Sequence, residues 1–237
     1  ALVFFAYVGF DAVSTTAEEA KNPQRDLPRG MIASLLICTI LYIVVAGVLT
    51  GMVPLDVLDN EKPVAAALAS VGEGNIAILI AIGVTLTMPT VLLVMQLGQI
   101  RILYAMSRDG LVGNRFNKVH SRFQTPSWAT IAVGLFVAVL AATIDIGTAA
   151  ELTNIGTLFA FVLVAIGVWL LRVNQPNAPR KFKTPAYRIV CTSCVVICLA
   201  LMIALPMLTW WRFLVWMLLG IVIYFIYGYK HSILQKD

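Results

Sequence analysis

The chain has 237 residues, 60% of them hydrophobic and only 12% charged, with a formal net charge of +5 at pH 7. Soluble domains carry about a quarter charged residues, so a soluble globular fold is excluded and the chain reads as an all-α, multi-pass integral membrane protein. The basic excess does not imply nucleic acid, because it follows the membrane topology developed below.

Residues 1–28 read ALVFFAYVGFDAVSTTAEEAKNPQRDLP. A span needs about 20 mainly apolar residues, and Ala1–Ala20 supplies the first. Gly9 beside β-branched residues marks a place where that helix unwinds. Unwound backbone at membrane depth is tolerated only against protein or a water-filled cavity. A charged, proline-punctuated turn follows, as far as Pro28. The chain opens inside a membrane segment and without Met, so the expectation is a piece of a longer protein. Six further spans are expected at Gly30–Val53, Ile76–Ala105, Trp128–Ile144, Leu152–Leu171, Ile189–Leu208 and Phe213–Tyr229. Pro89 lies in the middle of the third and predicts a kink; the helix is expected to continue through Met106. NQPNAPRKFKTP, residues 174–185, is the best linker and separates five spans from a final pair.

Lysine and arginine alternate sharply between the connections. Fifteen lie at the ends of, or in the segments after, the first, third, fifth and seventh spans, against two, Lys62 and Arg212, on the other side. The positive-inside rule places the fifteen, and the C-terminus, in the cytoplasm. Trp210, Trp211 and Trp216 then gather near the outer boundary and Tyr224, Tyr227 and Tyr229 near the inner one, as interfacial anchors.

Residues able to carry enzyme chemistry are missing. There is no Ser-His-Asp set, no carboxylate pair in the membrane and no phosphate loop. His120 and His231 have no partner at metal-ligand spacing, so neither a metal nor a cofactor is expected. Cys191, Cys194 and Cys198 share one helix face at i, i+3, i+7 and read as small packing residues.

Asp11 is the sharpest candidate, because a carboxylate within apolar sequence is costly in hydrocarbon. It reads as a proton-sensing or cation-facing group, or else as a structural carboxylate capping the second half-helix. Gly9 has a backbone role. A gap between half-helices bares carbonyls on one side, suited to an ammonium, and N–H groups on the other, suited to a carboxylate. A zwitterionic amino acid carries both. Ser14, Thr15 and Thr16 line the cavity or bond back to the i−4 carbonyl. Thr85, Thr87 and Thr90 flank Pro89 as candidate contacts from a second helix. Gln96 and Gln99 read as bridges between helices. The charged run Glu18–Arg29 is a gate or a solvated turn.

FFAYVGFDAVSTTAEEAKNPQRDLPRG resembles the sixth span and following loop of the amino acid–polyamine–organocation transporters, nearest their cationic amino acid branch. GQIRILYAMSRDGLVG resembles that branch's eighth span and cytoplasmic helix, ELTNIGTLFAFVLVAI its tenth span, and NQPNAPRKFKTP the loop before its last two. The resemblance implies a twelve-span transporter of two inverted five-helix repeats plus two peripheral helices. On that reading residues 1–172 are the second repeat with its broken first helix. Residues 173–188 are a cytoplasmic linker, and 189–237 are two peripheral spans and a tail. The N-terminal half, which binds the substrate carboxylate and holds the lysine linked to proton coupling, lies outside this chain. By position, the carbonyls that hold the amino group fall on Phe5, Ala6 and Val8, the aromatic gate on Phe5 and the acidic position on Asp11.

The function implied is secondary transport of amino acids by alternating access in the plasma (inner) membrane. Protons are the implied coupling ion, and lipid and the N-terminal half of the same protein are the partners. A neutral amino acid fits as well as a cationic one. The alternative is a non-transporting amino-acid sensor or partner subunit on the same fold.

Overall fold

The computed structural model describes residues 2–60, 62–122, 124–180 and 182–232. Ala1, Lys181 and Lys236, and the side chains of Thr16, Glu18 and Glu19, lie outside the described residues. The described chain is helical, with no strand.

The first segment is interrupted. Helix α1 covers only Leu2–Phe5, the chain turns through residues 6–9, and a 3₁₀ segment runs Phe10–Glu19. Gly9 sits at φ +123, a backbone that side-chain-bearing residues rarely adopt. Helix α2, Pro23–Met52, begins earlier than the sequence implies. The expected turn after Asn22 is helical, because Pro23 sits in the first turn, where its fixed φ suits the helix and its missing N–H costs nothing.

Two short helices, α3 (Leu55–Leu58) and α4 (Pro63–Ser70), fill the next connection. Helix α5 runs 35 residues, Gly74–Arg108, and passes through Pro89 without ending. Helix α6 covers Ser127–Thr143 and α7 Ile146–Asn174.

The last pair is divided differently from expectation. Helix α8 is Tyr187–Ile203 and α9 is Met207–Ile223, continued by a π turn at Tyr224–Gly228 and a final turn, α10, at Tyr229–His231. Pro206 disfavours helix at the residue before it and starts the next one. Arg212 therefore lies inside α9 and not in a turn. Trp210 is no free anchor either: its indole N–H donates to the Met202 carbonyl at 3.1 Å, tying α9 to α8.

Four helices, Pro23–Met52, Gly74–Arg108, Ile146–Asn174 and Met207–His231, are long and apolar enough to cross a membrane. Two shorter apolar helices, Ser127–Thr143 and Tyr187–Ile203, and the interrupted apolar stretch Val3–Thr15 accompany them.

Helix α7 is the scaffold. Its Ile155, Leu158 and Val162 form the buried core with Cys198 and Met202 of α8, Leu205 and Phe213. Cys191 and Cys198 are buried and all four cysteines are free thiols, so the cysteine face of α8 is a packing face. Where α9 starts, Thr209 donates to the Glu151 carboxylate and Arg212 donates to the Thr148 hydroxyl at 3.3 Å. Helix α5 holds the other side, with Gln96 donating to the Thr130 carbonyl of α6 at 3.2 Å.

Candidate functional site

The break is built by three neighbours. From α7, Phe161 meets Phe4 before the break, with ring centroids 6.1 Å apart and an interplanar angle of 85°, and Phe10 after it at 5.7 Å. One side chain thus grips both lips. From α5, Gly98 lies against the Thr15 side chain, and a Cβ on Gly9 would come within 2.8 Å of the Met95 methyl. From α2, the Tyr42 ring packs edge-on against Tyr7 at 5.3 Å and its hydroxyl donates to the Ala6 carbonyl at 2.8 Å.

The backbone groups of the break divide into spent and open ones. The Phe5 carbonyl accepts from the Val8 amide at 3.1 Å, and the Gly9 carbonyl accepts from Ala12 at 3.1 Å. The Ala6 carbonyl is held by Tyr42. Among the described residues the Val8 carbonyl and the amides of Phe10 and Asp11 have no hydrogen-bond partner. An acceptor and two donors therefore stand close together along the chain, on either side of Gly9.

Asp11 faces this gap from the first turn of the 3₁₀ segment. Its Oδ1 accepts from the Gly9 amide at 3.1 Å, so the carboxylate stitches the two lips together. A cavity of about 250 Å³ lies alongside, between residues 6–13 and α2, lined on the α2 side by Ser34, Leu35, Cys38 and Tyr42. Among the described residues no acidic side chain lines it.

The structure thus brings Ala6, Val8 and Gly9 into one cavity wall, with Asp11 bonded to it, and leaves Phe5 41% exposed at the end of α1. It does not bring in Ser14, Thr87 or Thr90. Ser14 donates to the Asp11 carbonyl at 2.6 Å and Thr15 to Ala12 at 2.7 Å, both one residue tighter than the i−4 bond expected, because the helix is 3₁₀. Ser14 and Thr15 line a separate hollow of about 580 Å³ with Arg101, whose guanidinium donates to the Thr15 carbonyl at 3.2 Å. Thr87 donates to Val84 of its own helix at 3.0 Å, and Thr90 is exposed on α5.

Tyr42 and Phe161 are the residues sequence reasoning missed. Each is an aromatic in an apolar span, and nothing local marks it. The one signal for Tyr42 is a hydroxyl in the middle of a hydrocarbon-spanning run, which needs an acceptor.

Comparison with known proteins bears on this geometry. The family model described as amino acid permease matches residues 1–226. The chain belongs to the amino acid permease family. It is similar to the branched-chain amino acid permease BcaP of Bacillus subtilis, 48% identical over 237 residues, covering 100% of this chain and 51% of that protein. It is 44% identical over 236 residues to the methylthioribose transporter of the same organism, again with 100% of this chain and 51% of the relative covered. To the vacuolar cationic amino acid transporter 2 of Arabidopsis thaliana it is 43% identical over 177 residues, covering 75% of this chain and 28% of that protein. The chain spans about half the length of the two bacterial relatives it matches throughout. These relatives are permeases and transporters, not enzymes. Family membership and the four long apolar helices make this an integral membrane protein.

Proposed function

We propose that this permease chain forms half of a secondary amino acid transporter and that its break binds the amino acid. The observation that carries this is the open Val8 carbonyl beside Gly9, in a helix interrupted at a left-handed glycine. An ammonium sits at bare carbonyls, where the partial negative charge of a helix end is greatest. In this reading Val8 and Ala6 take the α-ammonium, with the Tyr42 hydroxyl yielding the Ala6 carbonyl to it. Phe5 closes over the substrate. Asp11 holds the lips together, and its protonation, by weakening the bond to the Gly9 amide, couples the break to protons.

The wall beside the break carries no acid and is mostly apolar, which favours a neutral side chain over a cationic one. A branched-chain amino acid, which the name of one relative specifies, fits this wall. The substrate carboxylate is then bound by the half of the protein upstream of this chain, and alternating access moves the two halves against each other. The proposal includes seven spans, division at residues 172 and 188 into a five-helix repeat, a linker and a peripheral pair, and a plasma-membrane location with the C-terminus in the cytoplasm.

The test uses the full-length protein in liposomes. Asp11→Asn lowers counterflow of labelled amino acid or shifts its pH dependence, whereas Asp59→Asn, in the connection between α3 and α4, leaves both unchanged. Equal, unaltered counterflow in both variants removes Asp11 from the mechanism. Saturable binding with no counterflow in the unaltered protein replaces the transporter reading with that of a sensor.

A further inference from the structure

A hollow larger than the one at the break lies elsewhere in the described structure. It has a volume of about 920 Å³ and lies where α7 ends and α8 begins, walled by Gln24 of α2 and by residues 176–180 and Lys183 of the connecting segment. Among the described residues three cations, Arg172, Arg180 and Lys183, line it together with Tyr187, and no acidic side chain does. The nearest carboxylate along α2, Asp26, lies 4.0 Å from its neighbour Arg25 and is not part of the lining.

The three cations have different tasks. The Arg180 guanidinium donates to the carbonyls of Leu171 at 3.2 Å, Gln175 at 2.8 Å, Pro176 at 3.3 Å and Ala178 at 3.4 Å. It closes the C-terminal end of α7 and shapes the wall. Arg172 stacks over the Tyr187 ring, 5.2 Å from its centroid, and makes no hydrogen bond among the described residues; nor does Lys183. Two unspent cations therefore face an acid-free concavity whose geometry a third one fixes. That is the chemistry of a phosphate-group receptor, since guanidinium and ammonium donors make short, charge-assisted hydrogen bonds to phosphate oxygens.

The surroundings choose between a soluble phosphate and a lipid headgroup. Directly beside the hollow the helices turn apolar and bare: Leu171 is 54% exposed and Ile189 69%. A headgroup seated against Arg172 and Lys183 would lay its acyl chains on those faces, while a free anion would leave them unused. Tyr187 stands at this boundary, the level at which amphipathic aromatics settle. We propose that this hollow is a binding site for the phosphate of an anionic phospholipid, held by Arg172 and Lys183 and shaped by Arg180. The site is separate from the break and does not depend on what the break binds.

Native mass spectrometry of the full-length protein in detergent tests this, with added phosphatidylglycerol or phosphatidylcholine. The unaltered protein retains phosphatidylglycerol preferentially. R172Q/K183Q loses that preference, by roughly fivefold for each cation, because a basic residue at an anionic surface is worth about 1 kcal/mol. Lys230→Gln, a basic residue of α10, leaves it intact. If the double variant does not fold, Lys183→Glu in the exposed connecting segment gives the same readout. A preference undiminished in R172Q/K183Q overturns the site. Displacement by millimolar inorganic phosphate, without any preference for phosphatidylglycerol, overturns the lipid and leaves a soluble anion in its place.

Discussion

Tyr42 spends its hydroxyl on one of the few carbonyls the break leaves without a backbone partner, and on the proposed reading this makes it a competitor of the substrate ammonium. A single neutral hydrogen bond contributes about 1 kcal/mol net. Tyr42→Phe in the full-length protein therefore has two expected effects that point in opposite directions. Thermal stability in detergent falls by about 1 kcal/mol, while the KM for amino acid falls by roughly fivefold, because the Ala6 carbonyl no longer has to be released. A rise in KM would show that Tyr42 assists binding instead of opposing it. Gly9 makes a more demanding case. At φ +123 a Cβ is strained whatever space surrounds it, and the Met95 methyl 2.8 Å away would also have to move. Gly9→Ala is expected to cost about 1–3 kcal/mol in stability and to abolish uptake, measured as melting temperature and as initial rate.

At the scale of elements, the short piece α1 is too small to hold itself, since four residues cannot sustain a helix by local bonds. Phe161 does the holding through Phe4 and Phe10. Each such aromatic pair adds about 0.5–1.5 kcal/mol beyond burial, so Phe161→Leu should cost roughly 1–3 kcal/mol and loosen residues 2–10 selectively. Hydrogen exchange of the full-length protein reads this directly, as faster exchange near the break with α9 unchanged. Helix α7 itself starts on a side-chain cap: the Asp145 carboxylate accepts from the Thr148 amide at 2.8 Å. That bond, with smaller help from Arg212, holds the Asp145 carboxyl below the usual carboxylate range. A lowered native pKa means the cap contributes above the unfolded pKa, near 4, and is lost as pH falls through the native value. Asp145→Asn keeps an acceptor but cannot titrate. Its melting temperature should therefore fall less steeply below about pH 4 than that of the unaltered protein. The apolar segments and the interruption at Gly9 were legible because hydrophobic run length and a glycine–carboxylate pair are local signals. The α8–α9 corner was misplaced because an unbroken apolar run hides a bend unless Pro206 is given its full weight. The partners Tyr42 and Phe161 were illegible, since contacts 36 residues apart for Tyr42, and further for Phe161, leave no trace in local pattern.

The molecule as a whole exposes 17,024 Å² at 25.8 kDa, where a compact soluble monomer of that mass exposes about 10,500 Å². Much of the surplus is apolar. Helix α2 has no buried residue, and the stretch of α5 from Ala81 to Leu93 is exposed throughout. Lipid can cover such faces, because hydrocarbon meets hydrocarbon. It cannot cover the break. The open Val8 carbonyl and the open amides of Phe10 and Asp11 each cost several kcal/mol in hydrocarbon, and only protein or water can satisfy them. The bacterial relatives that match throughout are about twice as long as this chain, so on the proposed reading the rest of such a protein supplies the cover. On the proposed reading, the chain made alone enters membranes but binds no amino acid, because the substrate carboxylate is to be taken by residues outside it. Co-expression of the two halves as separate polypeptides should restore uptake, since helices already inserted associate through packing and interhelical hydrogen bonds and need no covalent link. Titration calorimetry on the isolated chain and uptake by the paired halves measure the two arms. Tight, specific amino-acid binding by this chain alone would mean that the break and the α2 wall suffice, and that the open peptide groups take both ends of the substrate by themselves.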